Sequence, residues 1–157
     1  MWDSDPGPAI AEGLSGAAIE MAGAAVEVLE TMFFELPVDL VREAEPPRAG
    51  LASEVEFSGT RNGRLAVDVE PGMARRLAAS FLGREDEQTV TEPEVNLVLL
   101  ELANMLCGNA LSRLEPRGGF QIGAPRPALV TEGGAGWLMV PVESGRLSVR
   151  LSFRDEA

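Results

Sequence analysis

At 157 residues and 45% hydrophobic content, the chain is long enough to bury a sizeable core as one domain, since a protein of this size hides about 68–70% of its unfolded surface. Its formal charge of -12, from 13 basic and 25 acidic residues, argues against nucleic acid, whose affinity rests on neutralising phosphates, and against anionic membranes. The absence of histidine and tyrosine excludes Ser-His and Cys-His nucleophile pairs, an imidazole base and a His-rich zinc site. Carboxylates suit Mg²⁺, but the acidic residues form scattered groups such as Glu85-Asp86-Glu87 and no compact triad.

Residues 1–8, rich in Pro, Gly and Asp, are expected to be a loose N-terminal segment, and the acidic start Met1-Trp2-Asp3 is unlike the basic start of a signal peptide. No uncharged apolar run of about 18 residues or more occurs, so a single cytoplasmic domain over 1–157 is expected. From Pro8 or Ser15 to Phe34, an Ala-rich stretch places Ile19, Ala22, Val26, Leu29 and Phe33 at helical spacing. This predicts a long first helix with Glu20, Glu27 and Glu30 on a solvated face. Leu36-Pro37 ends it, and residues 43–50, with Pro46-Pro47, form a connector. Residues 52–58 and 64–69 then alternate, with Val55 and Phe57 on one face, around the turn residues Gly59-Thr60-Arg61-Asn62-Gly63, which predicts a hairpin. A second helix runs over 71–82, is stopped by Gly83, and carries Arg75 and Arg76 on its surface.

The third helix, Glu92 to Leu114, has two different sides. Leu99, Leu100, Leu102, Ala103, Leu106, Cys107, Ala110 and Leu114 make a broad apolar stripe that must face a core. Cys107, the single cysteine, is read there as a small buried hydrophobe suited to a reducing compartment. At spacings of three and four, Glu94, Glu101, Asn104, Gly108 and Ser112 line the other side. A solvated face alone would carry such a Glu and Asn. Glycine inside a helix costs roughly 0.8–1 kcal/mol relative to alanine, so Gly108 on this stripe asks for close approach by another molecule. Met105, at the stripe edge, belongs to either side. Beyond this helix, residues 120–123, 128–131, 136–142 and 147–153 are short β runs separated by Gly133-Gly134 and Ser144-Gly145, the last two runs forming a hairpin. The fold class is α/β (α+β), with long helices packed on an antiparallel-rich sheet.

These motifs carry a resemblance. Through Glu30-Thr31-Met32-Phe33-Phe34, Val55-Glu56-Phe57-Ser58-Gly59, Asn62-Gly63-Arg64-Leu65, Met73-Ala74-Arg75-Arg76-Leu77-Ala78, Phe81-Leu82-Gly83 and, above all, Glu101-Leu102-Ala103-Asn104-Met105-Leu106-Cys107-Gly108, the chain resembles the CheC/CheX/FliY chemotaxis phosphatases. Pro127 stands at the family's spacing, with 22 residues between it and Asn104; beside an edge strand, a structural role is sufficient for it. The CheC and FliY branches usually carry Asp or Ser four residues before the Glu, where this chain has Leu97. CheC also has a second Glu-x-x-Asn on its first helix, whereas here Glu20 is followed at that spacing by Gly23, Glu27 by Glu30, and Glu30 by Phe33. One motif per chain resembles the CheX branch.

The resemblance implies a phosphatase acting on the aspartyl phosphate of a CheY-type response regulator. Asn104 would orient the attacking water, and Glu101 would dock on the receiver lysine. Gly108 and Ser112 would let the receiver's loops come close. It further implies no metal or cofactor of the chain's own, Mg²⁺ being supplied by the phosphorylated receiver. A homodimer paired through its sheets is expected, with residues 136–142 and 147–153 as candidate edges. The alternative is a non-catalytic receiver-binding or flagellar-switch module on the same fold, which would be expected to keep docking contacts and lose the Glu/Asn pair.

Overall fold

Ser15 accepts a hydrogen bond from the Ala18 amide at 3.2 Å and so starts the first helix, α1 (Gly16–Phe33). The computed structural model describes residues 10–48, 50–128 and 134–154. Within them the chain continues through β1 (Arg42–Glu43), β2 (Leu51–Gly59), β3 (Gly63–Val69), α2 (Pro71–Leu82), a 3-10 turn (Glu87–Thr89), α3 (Glu92–Leu114), β4 (Phe120–Ile122), β5 (Arg126–Ala128), β6 (Leu138–Val142) and β7 (Gly145–Phe153). Pro71 opens α2, where its missing N–H leaves no helical bond unmade, and Gly83 closes it at φ 72.

The strands form one sheet in the order β1-β6-β7-β3-β2, with β4 and β5 both pairing along the outer side of β2, and all strand pairs are antiparallel. Alternation decides the two faces. Ser53, Val55 and Phe57 of β2 and Leu65, Val67 and Val69 of β3 are buried and belong with the helices to one core that includes Phe33, Met73, Leu77, Leu102 and Leu106. The intervening positions carry charge: Glu54 meets Arg64 at 3.4 Å and Arg126 at 2.9 Å, and Glu56 meets Arg154 at 3.7 Å. The helices therefore cover one face and an Arg/Glu lattice the other.

Several expectations are corrected. The late strands are not edges: β7 lies between β6 and β3, and β6 is flanked by β1, by the Pro37–Val142 bridge and by the Val38 amide donating to the Pro141 carbonyl at 2.9 Å. The short β1 straddles the start of the segment expected to be a connector, with Arg42 just before it and Glu43 inside, and its two residues carry no alternation to read. Ile19, assigned to the inner face of α1, is 44% exposed, because the inner face shifts around the helix to Met21, Ala22 and Ala25. Strand β5 starts at Arg126 and not at Ala128, and residues 129–131, 133 and 1–8 lie outside the described residues. Pro127 pairs with Ser53 on the outer side of β2, a position where a missing N–H is tolerated.

By length and composition α3 could cross a membrane, yet half of its apolar window is buried against the sheet and the other two helices. The β2–β3 turn is tight. Gly59 sits at φ 135, and a Cβ built on it would lie 1.9 Å from the Gly119 carbonyl oxygen, which accepts from the Thr60 amide at 3.0 Å. Gly59→Ala is expected to lower unfolding stability by about 1–3 kcal/mol or more, measured by urea denaturation. A loss below about 0.5 kcal/mol, the range of an ordinary surface change, would show that the turn relaxes without cost.

Candidate functional site

Helix α3 spans the 23 residues expected of it and is held at its start by a reciprocal cap. The Thr91 hydroxyl accepts from the Glu94 amide, and the Glu94 carboxylate accepts from the Thr91 amide at 2.9 Å. The same carboxylate takes a two-pronged contact from Arg84, one arm at 2.7 Å. These hydrogen bonds, Arg84 first, hold its pKa down at about 2. Glu94 is therefore committed to the cap, and the stripe on which the sequence placed it begins one turn or more later.

Most of the inner stripe is as expected. Leu99, Leu102, Ala103, Leu106, Cys107 and Ala110 are buried, whereas Leu100 and Leu114 are only half-buried and Val95, Val98 and Leu111 join the core in addition. Burial pushes the Cys107 thiol up to about 12, far from a thiolate at neutral pH. On the outer side, Glu101 and Ser112 are exposed and Asn104, Met105 and Gly108 half-buried. No hydrogen bond or ion pair to another described residue engages the side chain of Glu101 or Asn104. An exposed carboxylate and a carboxamide one turn apart, neither used by the fold, can accept from and donate to a ligand. Among the described residues no group of three or more His, Cys, Asp or Glu could hold a metal ion.

Gly108 has room to spare. A Cβ there would meet only Ile122 Cδ1, at 3.8 Å, an ordinary van der Waals contact. The protein's own packing thus gives no reason for a helix-interior glycine. Gly108 and Ser112 line a groove of about 600 Å³ between α3 and α1, shared with Met105, Asn109, Thr31 and Met32.

The wall of that groove is a cluster that the sequence did not reveal. Arg113 meets Glu27 at 2.5 Å and Glu20 at 3.8 Å, and donates from Nε to the Asn109 Oδ1 at 2.8 Å, while the Asn109 amide donates to Glu27 at 3.3 Å. Glu20 and Glu27 are accordingly not a plain solvated face. The i,i+4 pair Asn109/Arg113 was the available signal. Gly23, which stands three residues after Glu20, lies under Arg113: a Cβ there would be 2.6 Å from the guanidinium. Arg75 likewise turns inward, donating to the Val90 carbonyl, so it is not a free surface residue.

Gly108→Ala is expected to raise unfolding stability by about 0.8–1 kcal/mol, read from urea denaturation. A destabilised variant would mean that the glycine serves the fold after all.

A family model described as chemotaxis phosphatase CheX matches residues 51–136, a stretch that holds the β2–β3 hairpin, α2 and all of α3. No curated protein sequence matches the chain. Among solved structures, the chain shares the fold of a CheX from Desulfovibrio desulfuricans, with TM-score 0.67 at 19% identity over 89% of this chain and 100% of that one. A CheX from Vibrio vulnificus matches with TM-score 0.66 at 18% identity over 92% and 100% of the two chains. The CheX of a CheX-CheY-BeF3-Mg²⁺ complex from Borrelia burgdorferi matches with TM-score 0.63 at 22% identity over 87% and 97%. With more than half of its length matched by the family model, including the helix that carries Glu101, Asn104 and Gly108, the chain belongs to the CheX family of chemotaxis phosphatases.

Proposed function

We propose that the chain hydrolyses the aspartyl phosphate of a CheY-type receiver domain, with Asn104 as the catalytic carboxamide and Glu101 as the docking carboxylate. The observation that carries this reading is the outer stripe of α3, where both side chains stand unengaged by the fold next to a glycine that the fold does not need. The Borrelia relative, crystallised with CheY, BeF3 and Mg²⁺, supports the choice of partner.

A phosphorylated receiver brings its own electrophile, Mg²⁺ and lysine, so the chain has to supply position. Phosphoryl transfer is governed by alignment and electrostatics. The Asn104 carbonyl oxygen accepts a hydrogen bond from a water and holds it in line with phosphorus. Water's oxygen then forms the new P–O bond as the bond to the aspartate oxygen breaks, giving inorganic phosphate and a free carboxylate. A neutral amide does this without repelling the phosphoryl oxygens. Glu101 pairs with the receiver lysine and fixes the register of α3 in the receiver's site. Gly108 and Ser112 keep the groove shallow enough for the receiver's loops. The chain adds no metal; Mg²⁺ arrives with the substrate. This partner also places the protein in the cytoplasm, where a free Cys107 persists reduced. Homodimer pairing through the sheet is left the two ends of the strand order, the short β1 and the β4/β5 edge.

Asn104→Ala is expected to slow decay of a Mg²⁺-bound phospho-receiver by about 10²-fold, the loss typical of one positioned polar group, with receiver binding little changed. Phosphate release assays test this, and full activity in the variant would remove Asn104 from the mechanism.

A second expectation separates docking from chemistry. Glu101→Lys should weaken receiver binding more than Glu101→Gln, because it sets like charges against each other where Gln only deletes one. Equal affinity of both variants and wild type by calorimetry would leave Glu101 as an ordinary solvated residue.

A further inference from the structure

A specific protein complex covers about 800 Å² on each partner with about 20–30 residues, and the polar stripe of α3 offers only Glu101, Asn104, Gly108 and Ser112. Toward the start of α3 the stripe is flanked by exposed apolar side chains. Leu97, one turn before Glu101 on the same line, is 67% exposed. It replaces the Asp or Ser expected at that place in the CheC and FliY branches.

More lies across the groove. Helix α1 runs antiparallel to α3: Gly23 lies under Arg113, Glu27 meets Asn109, and Thr31 and Met32 share the groove with Met105 and Gly108. The last turn of α1 therefore comes level with Asn104, since each turn of both helices advances by the same rise, and Phe34 caps the helix there. Met32 is 40% and Phe34 76% exposed. Among the described residues Phe34 is the one non-glycine at positive φ, 59°. A bulky side chain in that conformation is strained, and here the strain turns a phenyl ring out into solvent instead of into the core.

We propose that Leu97, Met32 and Phe34 form an apolar collar around Asn104 that seats the receiver domain. The inference rests on the phosphatase reading and names where the substrate's contact area comes from. Three features favour a receiver over other occupants. The collar is continuous with the stripe that would enter the receiver's site, and the stripe without it falls far short of the area a specific complex needs. A second copy of the chain on this face would cover Asn104. An anionic bilayer would be repelled by Glu101 on the stripe, by Glu30 one turn before Phe34, and by the chain's charge of -12.

Phe34→Asn and Leu97→Ser test the collar. Asparagine tolerates positive φ, so Phe34→Asn should fold as stably as wild type, and Leu97→Ser alters an exposed helix position at the start of the stripe. For a CheY-type receiver phosphorylated in the presence of Mg²⁺, each variant is expected to raise KM by about tenfold, the loss of one interface anchor, with kcat changed less than about twofold. Asn104→Ala, run in parallel, loses kcat instead. Wild-type KM in both collar variants, alongside an inactive Asn104→Ala, would overturn the collar and leave the phosphatase standing. Should wild type release no phosphate, affinity for the beryllofluoride-loaded receiver decides in its place: weaker binding by the variants supports the collar, while equal binding, or none by wild type, overturns it. A change in dimerisation by light scattering with KM unaltered would assign the collar to a second copy and likewise overturn the proposal.

Discussion

Leu102, Ala103, Leu106, Cys107 and Ala110 are wholly buried on α3, and their packing on β2 and β3 and against α1 and α2 fixes which side of the helix faces outward. Each fully buried leucine contributes about 1.5–3 kcal/mol relative to exposure, so rotating α3 by even one residue would expose this stripe and drive Glu101 and Asn104 into the core. The site is thus aimed by the hydrophobic effect acting on residues that never meet a ligand. Ser53, buried in β2, adds a polar tie by donating to the Leu99 carbonyl at 3.3 Å.

Rotation is set by the core, but sliding along the axis needs directional contacts. The Arg113–Glu27–Asn109 cluster supplies them between α1 and α3, and the Thr91–Glu94–Arg84 cap supplies them at the helix start. All of these groups are partly solvated, so each pair adds little to global stability. Their value lies in geometry: with both ends of α3 tied, its central turns hold still without using Glu101 or Asn104 as struts. The glycine at 108 keeps the middle of the outer face low.

What could be read in the sequence follows the strength of each periodic signal. The bounds of α2 and α3, the β2–β3 hairpin and the Glu101–Asn104–Gly108 alignment were legible because helical or alternating patterns ran for many residues between Pro, Gly and Thr punctuation. Ile19 was misassigned because in the Ala-rich α1 small residues pack on any side, so the apolar stripe is too wide to orient the helix. The two-residue β1 has no period at all, and sheet order depends on pairings far apart in sequence, which is why β6 and β7 were mistaken for edges. Glu94 fitted the stripe by spacing; the cap it makes with Thr91 and the approach of Arg84 from the α2–α3 connection withdraw it. Phe34 was invisible as a feature, since nothing in its neighbours announces a left-handed conformation.

The contact between Arg113 and Gly23 bears on whether a second Glu-x-x-Asn could stand on α1. A chain with Asn at 23 would first meet the Arg113 guanidinium, whose nitrogen lies 2.6 Å from the missing Cβ. Removing Arg113 to make room would leave Glu20 and Glu27 as neighbouring unneutralised carboxylates and cut the tie that registers α1 on α3. A side chain at 23 would push the end of Arg113 off Glu20 and Glu27, so a polar group at that place on α1 and the arginine tie between the two helices compete for one space.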